Sequence, residues 1–414
     1  MGIRATLKLF KTETVKKFPK TVIFVIDNFE YGGSTSFIDS YTRYLNGRGY
    51  NIIIIGEEGK ALQQKEYFRR CKIISLPKGK WEAEHSKNLF YTLIYRLHYF
   101  YKFNVAFRKV VIDERPDAIH LNLTWSSLAI LLFNPLVYRL PRVITFYGDR
   151  ALEIESINKY LAEGGILRFK IELIRILQGL TFTLSTKVIA FSSYSRDLLI
   201  SRFGVPSSKI EIIPGVIFKK DYLGIKKKRV SASKEIKILN ISRFENRKGH
   251  DLLLRAMKVL LNKGLKVNLT LCGSMDGGVL EILRLYEKLD LKKNLNFLHS
   301  YHGREKLLLI RDADLFVIPS KELETFGMTI IEALAIGTPV IGTPVGAIPE
   351  ILSKVDKKLI SDSISAVSLA RAITHFSFLS FRKKRQLAYK SRVVAFKYYN
   401  ADVILRKLES LYSL

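Results

Sequence analysis

The chain of 414 residues predicts an α/β protein built from two doubly wound, mostly parallel sheets. Three observations carry this reading. Continuous apolar runs of strand length, such as 21-TVIFVID-27, 51-NIIIIG-56 and 314-DLFVIPS-320, recur along the whole sequence, as strands buried on both faces require. Segments with helical periodicity alternate with them. The length exceeds the usual single domain and fits two units of about 200 residues, each able to bury a full core.

In the first half, 21-TVIFVID-27 is followed by N-F-E-Y-G-G-S-T-S and a helical pattern ending near Arg48-Gly49, after which 51-NIIIIG-56 begins. Apolar runs at 118-AIHLN-122, 142-RVITFY-147 and 187-KVIAFS-192 continue the order and argue for one parallel sheet. The second half repeats it, with strands expected at 236-IKILNIS-242, 266-KVNLTLCG-273, 295-LNFLHS-300, 314-DLFVIPS-320 and 339-PVIGT-343. Gly327 opens an apolar helical pattern through Ile330, Ile331 and Leu334 that Gly337 and Pro339 end. Between the halves, 219-KKDYLGIKKKRVSASKE-235 is basic and polar without apolar periodicity, and reads as a linker. The expected organisation is a first domain over 1–218, a linker over 219–235, a second domain over 236–395 and a terminal helix over 396–414.

Lys+Arg number 68 against 38 Asp+Glu, a formal charge of +30. That favours a polyanionic partner: nucleic acid, an anionic membrane or a phosphorylated substrate. No helix-turn-helix, zinc-finger or RNP pattern supports nucleic acid, and a thermophile's Lys-rich and Ile-rich composition also supplies such charge. Cys71 and Cys272 lie far apart with no C-x-x-C spacing, so no disulfide framework or zinc site is expected and the compartment reads as reducing and cytoplasmic. The first twenty residues lack an apolar h-region, and 128-LAILLFNPLVY-138 is broken by Asn134 and Pro135. Neither a signal peptide nor a membrane span is expected, only peripheral association with the inner face of a membrane.

The chemistry concentrates between residues 319 and 352. Glu324 and Glu332 stand eight positions apart around a Thr-Phe-Gly turn that leads from a buried strand into a helix. Such a turn presents backbone N–H groups and a positive dipole end, which suit a phosphate, while carboxylates nearby suit hydroxyls. Together they describe a sugar nucleotide. Upstream, Arg243 and Lys248 flank the loop I-S-R-F-E-N-R-K-G-H-D, which leaves the first strand of the second half. Cations over a sheet's carboxyl edge stabilise the charge growing on a departing nucleoside diphosphate. Arg247 between them reads as surface. Gly32 and Gly33 follow the first strand and leave room for a phosphate or acceptor. Gly273 opens the loop 272-CGSMDGG-278, which suits ribose or diphosphate or is a plain turn. Asp312 and Asp314 have the D-x-D spacing of a divalent-cation site, but Asp314 begins a buried strand, so no metal and no cofactor is expected.

In this order the motifs resemble the retaining GT-B glycosyltransferases of family 4, whose signature is E-x7-E followed by G-x-P-V-(I/V) and G-x-(I/P)-E. The resemblance covers about residues 20 to 380. It implies the GT-B fold, two Rossmann-like domains facing a central cleft, and a hexosyltransferase needing no metal. It implies that Glu332 holds the nucleotide ribose, that Glu324 and the amides of Phe326, Gly327 and Met328 hold the donor sugar, and that Arg243 and Lys248 stabilise the diphosphate. The family's T-x-H-G histidine is replaced: 144-ITFYGDR-150 carries Tyr147 before Gly148, and a phenol can bond a sugar hydroxyl but cannot act as an imidazole. The resemblance further implies that the last helix crosses back to the first lobe. The expected acceptor is a saccharide or lipid-linked hydroxyl. The alternatives are a sugar-nucleotide epimerase and a non-catalytic sugar- or polyanion-binding protein.

From Lys60 to Lys109 basic residues outnumber acidic ones by twelve to three, and Tyr91, Tyr95 and Tyr99 form a second stripe on a helix whose other face carries Leu89, Leu93, Leu97 and Phe100. Two readings stand side by side: an anionic membrane surface, or a long helix buried on the sheet.

Overall fold

The computed structural model describes residues 20–30, 32–63, 67–77, 89–122, 124–157, 165–225, 235–274 and 279–413. It forms two α/β lobes, each with one parallel sheet. The first has strands β1 (Thr21–Asn28), β2 (Asn51–Glu57), β3 (Lys72–Leu76), β4 (Ala118–Asn122), β5 (Arg142–Thr145), β6 (Lys187–Ala190) and β7 (Ile210–Ile212), in the order β3-β2-β1-β4-β5-β6-β7. Its helices are α1 (Gly33–Gly47), α2 (Leu89–Glu114), α3 (Trp125–Phe133), α4 (Arg150–Ile157), α5 (Gly165–Leu184) and α6 (Ser193–Phe203). In the second lobe β8 (Ile236–Ile241), β9 (Val267–Cys272), β10 (Leu295–Leu298), β11 (Leu315–Ile318) and β12 (Val340–Gly342) take the order β10-β9-β8-β11-β12. Around them lie α7 (His250–Asn262), α8 (Val279–Lys288), α9 (Gly303–Asp312), α10 (Met328–Ile336), α11 (Ile348–Leu352), α12 (Ala366–Ser377) and α13 (Phe381–Tyr398).

The central strands are the apolar runs. Val22 to Val25 and Ile52 to Ile55 are fully buried because helices cover both faces, with Tyr41 and Leu45 of α1 on one side and Phe103 and Phe107 of α2 on the other. β3 and β7 were not anticipated. Both are edge strands: β3 is mostly exposed and β7 has three residues, and edge strands need no continuous apolar run. Strand order reverses between β1 and β4 and between β8 and β11, and ligands of such sheets sit beyond the strand ends at these switch points.

The chain crosses between lobes twice, side by side. Ile217 N–H donates to the Tyr399 carbonyl at 2.8 Å, and Ala401 N–H donates to the Ile217 carbonyl at 3.0 Å. Helix α13 stays with the second lobe, where Arg392 donates to the Ala335 carbonyl at the end of α10. Beyond Asn400 two short helices, α14 (Ala401–Ile404) and α15 (Arg406–Leu411), return to the first lobe and bury Leu405, Leu408, Leu411 and Tyr412 beside Tyr41 and Phe24. Four such side chains contribute about 1.5–3 kcal/mol each. Tyr412 also meets His120 Nδ1 at 2.5 Å, while His120 Nε2 lies 2.7 Å from Thr145 Oγ1. Burial drives the His120 pKa down to about 3, so it stays neutral.

The segment read as a polar linker begins otherwise. Tyr222 and Ile225 are buried in the second lobe's core, and Asp221 takes both Arg43 Nη atoms of α1 at 2.6 Å. These apolar residues are too sparse to give a periodic signal. Residues 226–234 lie outside the described residues.

Candidate active site

Because β8 and β11 are neighbours, the loops after them meet over the carboxyl edge of the sheet. After β8 a tight turn over Asn246–Lys248 leads to Gly249, which caps α7 with φ +71°. A Cβ there would lie 1.9 Å from the Pro319 carbonyl oxygen, so this approach of the two loops demands glycine. It places Lys248 Nζ 2.8 Å from Glu324 Oε2, which also accepts from Ser320 Oγ at 3.0 Å. Glu324 is 6% exposed. Burial pushes its pKa up, but the Lys248 ammonium, the hydrogen bonds from Lys248 and Ser320, and the charge of Arg247 outweigh it and hold the carboxyl below its ordinary range.

The backbone under Glu324 is held with equal closeness. Leu323 has φ +53° and Gly346 has φ +57°. The Glu324 carbonyl accepts from Ala347 N–H at 2.8 Å, and a Cβ on Gly346 would come within 2.2 Å of that carbonyl oxygen. A leucine in the left-handed region costs about 1–3 kcal/mol, so the surrounding contacts hold the turn in place.

Glu332 sits on α10, 8% exposed. Its Oε1 takes Lys306 Nζ of α9 at 2.7 Å, while Oε2 is enclosed and accepts no hydrogen bond. A buried acceptor without a partner is costly and marks a place for a donor. Gly327 caps α10 with φ +91°, and the first-turn amides there have no intrahelical acceptor. Phe326 is buried among Phe37 and Phe191 of the first lobe and Tyr399 of the crossing. Gly215 makes room for it: a Cβ there would stand 2.4 Å from Met328 Sδ and 2.6 Å from Phe326 Cε1.

Arg243 projects from the end of β8 with its side chain 59% exposed and Nη1 2.8 Å from Glu245 Oε1. Arg247, expected at the surface, is buried instead. Its side chain is 7% exposed, with Nε 2.8 Å from Glu245 Oε2 and Nη2 3.5 Å from Glu153 Oε1 of the first lobe. Gly273 is a packing glycine, since a Cβ would lie 2.1 Å from the Ser242 carbonyl oxygen. Residues 275–278 of its loop are outside the described residues. Asp312 pairs with Arg311, and Asp314 accepts from Lys237 N–H at 3.0 Å. Among the described residues no group of three or more His, Cys, Asp or Glu side chains is placed to hold a metal.

In the first lobe Gly32 is extended and a Cβ on Gly33 would meet nothing within 4 Å, so packing does not demand glycine there. Tyr147 is half-buried against Phe37 and Phe191, and its phenol donates to Asn122 Oδ1 at 2.8 Å. It is therefore engaged within the lobe, whereas the sequence suggested a contact to sugar. Asp149 takes Arg202 Nε at 3.0 Å and caps α4 through Leu152 N–H, which is a structural role. Between the lobes runs a cleft of about 760 Å³, lined by Ser36, Asp39 and Arg43 of α1, by Arg69 and Arg70, and across it by Lys306 and Glu332. Sequence reasoning missed Lys306, Ser320, Arg247 and Glu153. Lys306, Arg247 and Glu153 lie far along the chain from their partners, so only the fold reveals them, whereas Ser320 stands four positions before Glu324 and carries no signal beyond an ordinary serine.

The glycosyltransferases group 1 family model matches residues 223–393, and the glycosyltransferase family 4 model matches residues 31–217. Between them they cover most of both lobes, including Glu324, Glu332, Arg243, Lys248 and Glu153. The chain belongs to this glycosyltransferase family. This family 4 chain is 26% identical over 258 residues to the phosphatidylinositol N-acetylglucosaminyltransferase gpi3 subunit of Schizosaccharomyces pombe, covering 61% of this chain and 52% of that protein, so it matches about half of that relative's length. It is 23% identical over 303 residues to N-acetyl-alpha-D-glucosaminyl L-malate synthase of Bacillus anthracis, covering 72% and 75%. In fold it is similar to sucrose-phosphate synthase of Thermosynechococcus elongatus, with a TM-score of 0.76 at 20% identity over 95% of this chain and 98% of that one. It is likewise similar to Anabaena HepE in complex with UDP and glucose, with a TM-score of 0.71 at 17% identity over 95% and 99%. These place it in the GT-B fold.

Proposed function

We propose that this protein is a retaining glycosyltransferase moving a hexose from a nucleoside-diphosphate sugar to an acceptor hydroxyl, without a metal. The observation that carries the reading is the pair of buried carboxylates flanking the turn into α10, Glu324 held ionised by Lys248 and Glu332 with one oxygen left unbonded. In this reading Glu332 Oε2 receives a ribose hydroxyl and Glu324 a donor-sugar hydroxyl. The amides of Phe326, Gly327 and Met328 join Glu324 in holding the donor sugar, Arg243 and Lys248 receive the diphosphate, and Gly32 and Gly33 let it approach α1. The acceptor oxygen bonds to the anomeric carbon on the face that the diphosphate leaves, and the diphosphate takes the acceptor proton. The protein supplies position and charge. HepE's partnership with UDP makes UDP the first donor base to try. A thermal-shift screen against UDP-, GDP- and ADP-sugars, followed by sugar-nucleotide hydrolysis without acceptor and with EDTA, tests it. Binding without turnover would favour a non-catalytic sugar-binding protein, and a strict Mn²⁺ requirement would return Asp312 and Asp314 to consideration.

The acceptor, in this reading, waits at an anionic membrane. Helix α2 carries two apolar stripes. Tyr99, Phe103, Phe107 and Val110 face the sheet and are buried, while Leu97, Tyr101, Val105 and Ile112 face outward with exposures of 52 to 68%. On α5 Phe169, Leu173 and Ile176 repeat the outward stripe, and α3 packs between the two helices. Exposed Arg108, Lys109, Arg168 and Lys170 accompany them. A solvated helix face would be polar, and apolar side chains with Lys and Arg suit a headgroup layer. Among the described residues no helix is long and apolar enough to cross a membrane. The side chains of Tyr91, Tyr95 and Arg96, with residues Lys78 and Lys80, lie outside the described residues.

A further inference from the structure

The loop bearing Glu324 is gripped from the first lobe, and one grip reaches Arg243. Glu153 stands on α4 just past the Tyr147–Gly148 turn, where a Cβ on Gly148 would come within 3.4 Å of its Oε1. Across the cleft that oxygen lies 3.5 Å from Arg247 Nη2, and Arg247 Nη1 donates to the Leu323 carbonyl at 3.4 Å. Arg247 Nε lies 2.8 Å from one oxygen of Glu245, whose other oxygen lies 2.8 Å from Arg243 Nη1. Carboxylate and guanidinium thus alternate from Glu153 through Arg247 and Glu245 to Arg243, from one lobe to the other.

The two arginines in this chain stand in opposite situations. Arg247 is buried, and a guanidinium at that depth requires carboxylate partners. Arg243 is largely exposed, and a long exposed side chain samples many rotamers unless held. Its ion pair is with Glu245, which it shares with Arg247. When the lobes part, Arg247 loses Glu153, and Glu245 is left as the carboxylate paired with it, drawing that carboxylate from Arg243. The same parting loosens the carbonyl of Leu323, the residue with φ +53° directly before Glu324. Two further bonds close the same seam: Ser192 Oγ donates to the Thr325 carbonyl at 2.7 Å, and Thr325 Oγ1 donates to the Tyr147 carbonyl at 3.0 Å.

We propose that Glu153 is a positioning residue: through Arg247 it fixes Arg243 and the Leu323–Glu324 turn, so that diphosphate cation and sugar carboxylate reach working geometry only with the lobes apposed. The proposal rests on the glycosyl-transfer reading above. Neither Glu153 nor Arg247 is assigned a contact with substrate, so their effect falls on turnover and leaves ground-state binding alone.

The test uses the full chain and Glu153→Gln, which keeps the shape and removes the charge. Expected is a fall in kcat of about tenfold, with donor KM and UDP affinity within about twofold and the melting temperature little changed. Glu153→Asp should recover part of the rate. Combined with Arg247→Gln, it should be no slower than Arg247→Gln alone, because both remove one contact. Wild-type kcat in Glu153→Gln, or a double variant whose loss is the product of the two single losses, would overturn the proposal. A wild type that neither transfers nor hydrolyses any of the UDP-, GDP- or ADP-sugars would strike the glycosyl-transfer reading, and this proposal with it.

Discussion

Replacing Lys248 by Met tests whether the Lys248–Glu324 pair serves structure, chemistry or both. The two side chains are 15% and 8% exposed and 2.8 Å apart, so removing the cation strands a carboxylate in a site that burial alone would push toward the neutral form. Losing one partner of a buried pair costs about 3–5 kcal/mol. Each kcal/mol moves the melting midpoint of a unit of this size by about 2–4 °C, so a drop of roughly 10 °C is expected. The pH dependence carries the sign. In the wild type the folded pKa of Glu324 is depressed, so its contribution is present above the unfolded carboxylate range and is lost as pH falls through the folded pKa. In Lys248→Met burial dominates and the folded pKa lies above the unfolded one. Its contribution is then present at low pH and lost as pH rises above the unfolded carboxylate range, opposite in sign to the wild type. Adding Glu324→Gln removes the stranded charge and should return most of the lost stability while leaving transfer abolished. Calorimetry at pH 5, 6.5 and 8 reads the first effect, and sugar-nucleotide turnover reads the second. A double variant as unstable as the sum of the singles, or a Lys248→Met midpoint that ignores pH, would refute the reasoning.

Three other outcomes are expected. Glu332→Ala should weaken UDP binding, whereas Glu324→Ala should spare the nucleotide and cripple transfer, both read by calorimetric titration; unchanged affinity in Glu332→Ala removes the ribose assignment. Gly346→Ala places a Cβ 2.2 Å from the Glu324 carbonyl oxygen at φ +57°, so stability should fall by about 2 kcal/mol or more and turnover should fall with it; a fully active, equally stable variant would show that the turn can shift without consequence. Full-length protein should co-sediment with anionic but not neutral liposomes, more weakly at high salt, since each surface Lys or Arg contributes about 1 kcal/mol within a Debye length of about 8 Å; exchanging Arg108, Lys109, Arg168 and Lys170 for Glu should release it, and indifference of the wild type at low salt would rule the docking out.

The parts legible in the sequence are those whose signal is local. Doubly buried strands leave unbroken apolar runs, so the centres of both sheets are read within a residue or two. The turn from β11 into α10 is announced by its own glycines and proline. What escaped depends on residues meeting across the chain. The edge strands β3 and β7 bury too little to imprint a pattern. Arg247 reads as one more charge in N-R-K, and its burial is decided by Glu153, 94 positions earlier. The phenol of Tyr147 was read toward sugar because the resemblance puts it where the family carries a histidine, and Asn122 on the adjoining strand supplies it an acceptor at 2.8 Å. The terminal return was expected from resemblance, while the residue at which it crosses, Asn400, emerges only from the backbone pairing with Ile217.

That pairing bears on how the cleft works. The covalent crossings run side by side at Ile217 and Asn400, and beside them Phe326 is wedged among Phe37, Phe191 and Tyr399. This is the stiff end of the seam, because its aromatic surface is buried and its backbone bonds are paired. Polar contacts also join the lobes: Ser192 to Thr325, Thr325 to Tyr147, Ser193 N–H to Glu350 at 2.9 Å, and Arg247 to Glu153 at 3.5 Å. Each exchanges readily for water and contributes about 0.5–1.5 kcal/mol net, charged ones somewhat more. Their sum is of the size that one ligand can supply or withhold by binding both walls. In the proposed reading a nucleotide sugar held by Glu332, Glu324 and Arg243 on the second lobe also approaches α1 at Gly32 and Gly33, so it would touch both lobes. On that reading, donor binding would favour the apposed lobes in which Glu153 meets Arg247.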